Sequence, residues 1–214
     1  MNNRIFDHKP QTWQELEELV NIAFCEMGYE SQKNQTLTTI RGRIAIDVVA
    51  VEKRTPIPTM ILCECKYWNK PVNQQIVYAF RSVCVDVGAH YGLVISKKGF
   101  QPGAEETRKG TNIHLLNFDQ FQEKFFKRWC QGVFMEIVKM RDAFLNKLYQ
   151  DPKLSAKAFL KYALFEKVSD HFVFNKTFPI NVVDPRGSID LIKKITVKSH
   201  RHFFEIAKNT YENL

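Results

Sequence analysis

Ile61-Leu62-Cys63-Glu64-Cys65-Lys66 is an apolar run carrying a carboxylate, one intervening residue and a lysine. Pro56 and Pro58 precede it and Asn69-Lys70-Pro71 follows it, so it reads as a β-strand over 60–66. Side chains alternate across a strand, which puts Glu64 and Lys66 on one face and Cys65 on the other. Seventeen residues upstream of Glu64, Ile44-Ala45-Ile46-Asp47-Val48-Val49-Ala50-Val51 sets a second acid in another largely apolar strand. Charges on central strands are expensive without a partner or a use. Two readings of the residues stay open. In one, Asp47 and Glu64 hold a divalent metal on oxygen and Lys66 sits beside the attacking water, parts that suit phosphodiester hydrolysis. In the other, the three are a structural ion group on a half-buried sheet.

Working outward, a first helix is expected over 12–27. Thr12 is the predicted N-cap with Glu15 completing a capping box, and Gly28 is the stop. Trp13, Leu16, Val20, Ala23, Phe24 and Met27 recur at helical spacing. At about 100° per residue, Glu17 falls on the border of that stripe, whereas Glu15 and Glu18 point away. Glu17 therefore needs a partner, either a salt bridge or an active site.

Strands are expected over 35–40 and 44–52 around the turn Arg41-Gly42-Arg43, giving an antiparallel meander with 60–66. A second helix is expected over 72–87, with Val72, Ile76, Ala79, Phe80, Val83 and Val87 on one face. Tyr91–Ser96 reads as a buried strand, 102–109 as a short helix and Ile113–Leu116 as a last strand. The order α-β-β-β-α-β-α-β describes an α/β fold, a mixed sheet flanked by helices.

From Phe118 a long helical stretch runs to about Gln150. A helix over 153–168, a β-like region over 171–195 with the turn Asp184-Pro185-Arg186-Gly187, and a basic helix over 198–212 follow. Two domains are expected, 1–120 and a mainly helical, basic 121–214. The net charge of +8 is uneven: fourteen lysines and arginines face thirteen acids before residue 121, and seventeen face ten after it. A basic balance favours a polyanion, most simply nucleic acid. No apolar run is long enough for a membrane span and the first residues lack a signal-peptide core, so a cytoplasmic location is expected. The five cysteines fall in no zinc spacing and are expected to be reduced.

The pattern resembles the Mrr-like branch of the PD-(D/E)xK nucleases over about residues 12–120. Leu16-Glu17 leading to Gly28-Tyr29 is similar to the family's opening helix, with Leu16 in place of an aromatic. Asp47 and Glu64-Cys65-Lys66 match the catalytic acid and E-x-K; many Mrr relatives carry Gln where Glu64 stands. Gly88-Ala89-His90-Tyr91-Gly92, Gly99-Phe100 and Ile113-His114-Leu115-Leu116 match the later strand, loop and terminal strand.

The resemblance implies a restriction-endonuclease-like fold and a divalent-metal-dependent endonuclease acting on DNA, with a role in restriction or defence against foreign DNA. It implies Mg2+, with Mn2+ able to substitute. Asp47, Glu64 and the Cys65 carbonyl would be its ligands, Lys66 and Glu17 would complete the catalytic set, and a homodimer would serve double-strand cleavage. Arg41, Arg43, Gln74, Gln75, Lys97 and Lys98 are candidate nucleic-acid contacts, although each taken alone reads first as a solvated surface residue. The alternative is a non-catalytic nucleic-acid-binding module that kept the fold. No membrane partner is expected.

Overall fold

The computed structural model describes residues 4–150, 178–183 and 194–212. The chain forms two compact units, His8–Gly132 and a second composed of Met1–Asp7 with Val133–Leu214.

The first unit begins with α1, Trp13–Glu26. Thr12 caps it by accepting a hydrogen bond from the Glu15 amide at 3.1 Å, and the Glu15 carboxylate accepts from the Gln11 amide at 2.6 Å. Strands β1 (Glu30–Thr39), β2 (Gly42–Glu52) and β3 (Thr59–Lys66) form the antiparallel meander. Helix α2 (Gln74–Asp86) crosses over to β4 (Tyr91–Ser96), which lies parallel to β3, and α3 (Pro102–Thr107) leads to β5 (Ile113–Asn117), parallel to β4. The sheet order β1-β2-β3-β4-β5 makes β3 the strand where antiparallel pairing gives way to parallel pairing. A parallel connection needs a crossover element, and α2 supplies it immediately after the E-x-K strand.

Helix α4, Phe118–Gln150, starts in this unit. Phe121 packs on Phe24 of α1 at 6.0 Å and on Phe125 at 5.1 Å between ring centres, and Trp129 Nε1 donates to the Glu26 carboxylate at 2.7 Å. Gly132 permits the approach, since a Cβ there would lie 2.2 Å from the Glu26 carbonyl oxygen.

The structure shifts three expectations. Strand β1 begins at Glu30, because an edge strand takes polar residues on its open face and Glu30-Ser31-Gln32-Lys33-Asn34 carries no hydrophobic signal. Helix α2 begins at Gln74, with Asn73 as its cap, while Val72 forms a parallel bridge with Phe100. Its buried face is Val77, Phe80 and Cys84, with Ala79 exposed and Ile76, Val83 and Val87 flanking. Trp13 stands exposed in the first turn of α1 rather than on the packed stripe.

A further departure lies within β2. Ile44 and Ile46 pack in the same apolar cluster as Val49 and Val51. Strict alternation would send these pairs to opposite faces. The alternation therefore breaks between Ile46 and Val49, at Asp47, and the matching position on β1 is Asn34, whose φ is +51°.

In the second unit, β6 (Ile180–Val183) pairs antiparallel with β7 (Lys194–Val197), and α5 spans His200–Glu212. Phe203, Phe204, Ile206 and Ala207 are its buried face. Arg201 Nε donates to the Ile5 carbonyl at 3.0 Å and Ser199 Oγ to the Asp7 carboxylate at 2.7 Å, which ties the first residues to this helix. The helix expected over 153–168 and the turn Asp184–Gly187 lie outside the described residues. All five cysteines are free thiols. Among the described residues no helix is long and apolar enough to cross a membrane.

Candidate active site

Glu64 and Lys66 occupy the C-terminal end of β3, and their side chains form an ion pair. The β2–β3 ladder stops at Val48 and Cys63. One position further, the Asp47 carboxylate accepts a hydrogen bond from the Cys65 amide at 2.7 Å, so a side chain takes the place of the next backbone partner. Lys66 Nζ also lies 4.0 Å from the Asp47 carboxylate. The Met60 and Lys66 carbonyls bond to His90 and Lys97 on the β4 side. Peptide groups alternate laterally along a strand, so Cys65 turns its amide and its carbonyl toward Asp47.

These side chains are only partly open to solvent, Lys66 being 16% exposed, Glu64 21% and Asp47 24%. Glu17, on α1, is 6% exposed. Burial pushes the Glu17 carboxyl above the usual range, and the Asp47 charge pushes it further; Lys33 and Lys66 oppose both. Burial likewise raises Glu64, the Lys66 ammonium opposes it, and Asp47 adds to it. Three carboxylates thus share one neighbourhood with Lys66 as the cation common to Glu17 and Glu64. The Cys63 and Cys65 thiols are driven well up by burial and stay protonated.

Among the described residues, no group of three or more His, Cys, Asp or Glu side chains is drawn together closely enough to hold a metal ion. The donor chemistry nonetheless suits a hard divalent cation. The donors are carboxylate oxygens, the thiols nearby are neutral, and the Asp47 charge raises the proton affinity of Glu17 and Glu64.

The other candidate residues are scattered. Arg41 pairs with Asp86, the last residue of α2, at 3.2 Å, and that carboxylate is only 6% exposed. Arg43 and Lys98 are exposed. Gln74 and Gln75 are exposed in the first turn of α2, with the Gln74 side chain lying over Gly103 of α3. Lys97 donates to Asn69 Oδ1 at 3.0 Å and lies 4.0 Å from the Tyr67 ring centre. The fold therefore brings Glu17, Asp47, Glu64 and Lys66 together, sets Lys97 beside the segment that leaves β3, and commits Arg41 to α2. The sequence gives Tyr67 and Trp68 no role and reads Asn69-Lys70 only as the end of the strand; two adjacent aromatics directly after the E-x-K were the available signal.

Residues 9–125, more than half of the chain, match the family model Mrr_cat, described as restriction endonuclease. No curated protein matches the chain. Solved structures that resemble it include the protein of unknown function AF1548 (20% identity, TM-score 0.43, 50% of this chain and 59% of that one). The MspJI restriction endonuclease in complex with a 27-mer oligonucleotide matches at 16% identity and TM-score 0.35, over 51% of this chain and 27% of that one. The DNA modification-dependent restriction endonuclease AspBHI matches at 16% identity and TM-score 0.33, over 66% and 41%. The chain thus spans less than two thirds of each of these proteins.

Proposed function

The chain belongs to the restriction endonuclease family Mrr_cat, and we propose that it is a divalent-metal-dependent endonuclease that hydrolyses DNA phosphodiester bonds. The observation that carries this reading is the end of β3, where Lys66 pairs with Asp47 and Glu64 and the buried Glu17 feels the charge of all three. Asp47 and Glu64 would hold Mg2+ or Mn2+ with the Cys65 carbonyl. The bound cation would supply Lewis-acid stabilisation of the phosphate and a more acidic water.

The chain's own groups have distinct tasks in this scheme. Asp47, fixed by the Cys65 amide, presents its carboxylate in a set orientation. Lys66 carries a positive charge to the point where negative charge builds on the phosphate, a role of the electrostatic kind that dominates phosphoryl chemistry. Its ammonium can also orient the attacking water. Glu17 raises the negative charge of the site and holds the cluster from the α1 side. Arg43, Lys97 and Lys98 are candidates for backbone phosphate contacts, and a homodimer would place two such sites on one duplex. A role in restriction or defence against foreign DNA fits the family.

The test is cleavage of supercoiled plasmid with Mg2+ or Mn2+. Glu64→Ala and Lys66→Ala should each abolish cutting while the proteins remain folded. Asp47→Ala cutting as well as wild type would overturn the site assignment. DNA binding with no cleavage under any divalent cation would favour the non-catalytic module instead.

A further inference from the structure

The chain leaves β3 as Tyr67-Trp68-Asn69-Lys70 before Pro71. Tyr67 is anchored: its hydroxyl donates to the Pro10 carbonyl at 3.2 Å, and Lys97 sits over its ring. Asn69 is anchored through the same Lys97. Trp68, between these two fixed points, is 36% exposed. The Lys66 ammonium lies 5.6 Å from the Trp68 ring centre and the Lys70 ammonium 5.9 Å. Among the described residues, Trp68, Asn69 and Lys70 line an open cleft of about 540 Å³.

Folding alone does not account for this placement. A lysine near an exposed indole contributes about 0.5–1 kcal/mol, less than the roughly 1.5–3 kcal/mol that full burial of a large apolar side chain provides. Trp68 shares the Lys66 ammonium with the E-x-K pair. An aromatic face bracketed by ammonium groups is the arrangement that binds a nucleic-acid strand, the ring taking a base and the cations its phosphates.

We propose that Trp68 is a stacking platform for an unpaired nucleobase adjoining the phosphate at Lys66, with Lys70 binding the neighbouring phosphate. The inference rests on the nuclease reading and adds a base-binding subsite to it. Stacking is tolerant of base identity, so the platform contributes affinity and strand position rather than sequence choice. It makes a single strand, or a duplex with an unpaired base, a better ligand than a fully paired duplex.

The test is fluorescence anisotropy of a labelled oligothymidylate and a paired duplex, in EDTA so that neither is cut. Trp68→Ala should weaken oligothymidylate binding by roughly 5- to 100-fold, and Trp68→Phe should restore most of it. The salt dependence should be the same in Trp68→Ala and wild type, because no charge is lost. Lys70→Ala should instead lower its log–log slope by about 0.7. Unchanged affinity in Trp68→Ala, a reduced salt slope in that variant, or no oligothymidylate binding by the wild type each overturns the proposal. If plasmid is cut while Trp68→Ala binds normally, the nuclease reading stands and the platform falls. If Trp68-dependent binding is seen but no metal supports cutting, the platform stands and the nuclease reading falls.

Discussion

Glu52 and Glu64 are both acids on adjacent strands of one sheet, both shielded from solvent and both paired with a cation, yet they sit in opposite electrostatic states. Glu52, at the end of β2, accepts from the Arg54 amide at 3.1 Å, Arg54 Nε at 2.9 Å and Arg54 Nη2 at 3.0 Å, and it also pairs with Arg128 of α4. Those hydrogen bonds, Arg54 first, hold its carboxyl down at about 2 against the opposing effect of burial. Arg54 Nη2 also donates to the Met27 carbonyl at 2.7 Å, so one cluster ties β2, α1 and α4 together. Glu64 has Lys66, and it shares that lysine with Asp47 while Glu17 lies close by. Its proton affinity rises where that of Glu52 falls. In the first cluster cations outnumber acids and every lone pair is used. In the second, acids outnumber the cation, a state that folding does not need and that an incoming cation would relieve.

Breaking the saturated cluster should give the largest effect on folding. Glu52→Ala leaves two half-exposed arginines without their carboxylate and should cost about 1.5–3 kcal/mol in urea unfolding, whereas Glu64→Ala should leave the midpoint close to wild type. Equal losses in the two variants would erase the distinction. Acid titration probes the same contrast without mutation. The Glu52 carboxyl stands near 4.5 unfolded and near 2 folded, so its contribution is fully present above pH 4.5 and is lost as pH falls from 4.5 through 2. The shift corresponds to about 3 kcal/mol, and chemical denaturation across that range should show a steeper loss in wild type than in Glu52→Gln.

Gly28 tests how the saturated cluster is seated. It has φ +85°, and a Cβ there would meet the Arg54 guanidinium at 2.3 Å. Gly28→Ala should therefore cost about 1–3 kcal/mol, through backbone strain and the displaced Arg54; a thermal melt superposing on wild type would contradict this. The smallest effect sharpens the other cluster. At neutral pH, Mg2+ at about ten times its dissociation constant should stabilise the wild type by about 1.4 kcal/mol. That gain should vanish in Glu64→Gln and persist in Glu52→Gln, as read from the melting temperature with and without the ion.

Much of the site's framework was legible in the residues. The E-x-K strand and the Asp47 strand announce themselves by apolar runs around charges. Glu17 could be singled out because helical phase turned it toward the packed side, and the structure buries it. The less legible parts share a cause. Strand β1 opens with polar residues because it is an edge, and single-strand patterning cannot tell a polar edge from a loop. The buried face of α2 was misassigned because Cys84 packs as a small apolar residue, Val72 leaves the helix to bridge Phe100, and Ala79 turns outward. Arg41 reads as a free cation in sequence, but the fold sets Asp86 beside it from forty-five positions away.

The amino-acid sequence by itself determined the elements, the mixed sheet and which charged residues stand on apolar strands, because periodicity and burial cost are local properties. Only the tertiary structure decided what those charges do to one another. It broke the alternation of β2 at Asp47, aimed that carboxylate at the Cys65 amide and left Glu64 to share Lys66, while at the end of the same β2 strand it surrounded Glu52 with arginines. Electrostatic state depends on which groups long-range packing brings within a few ångströms, and no local pattern in the chain encodes that distance.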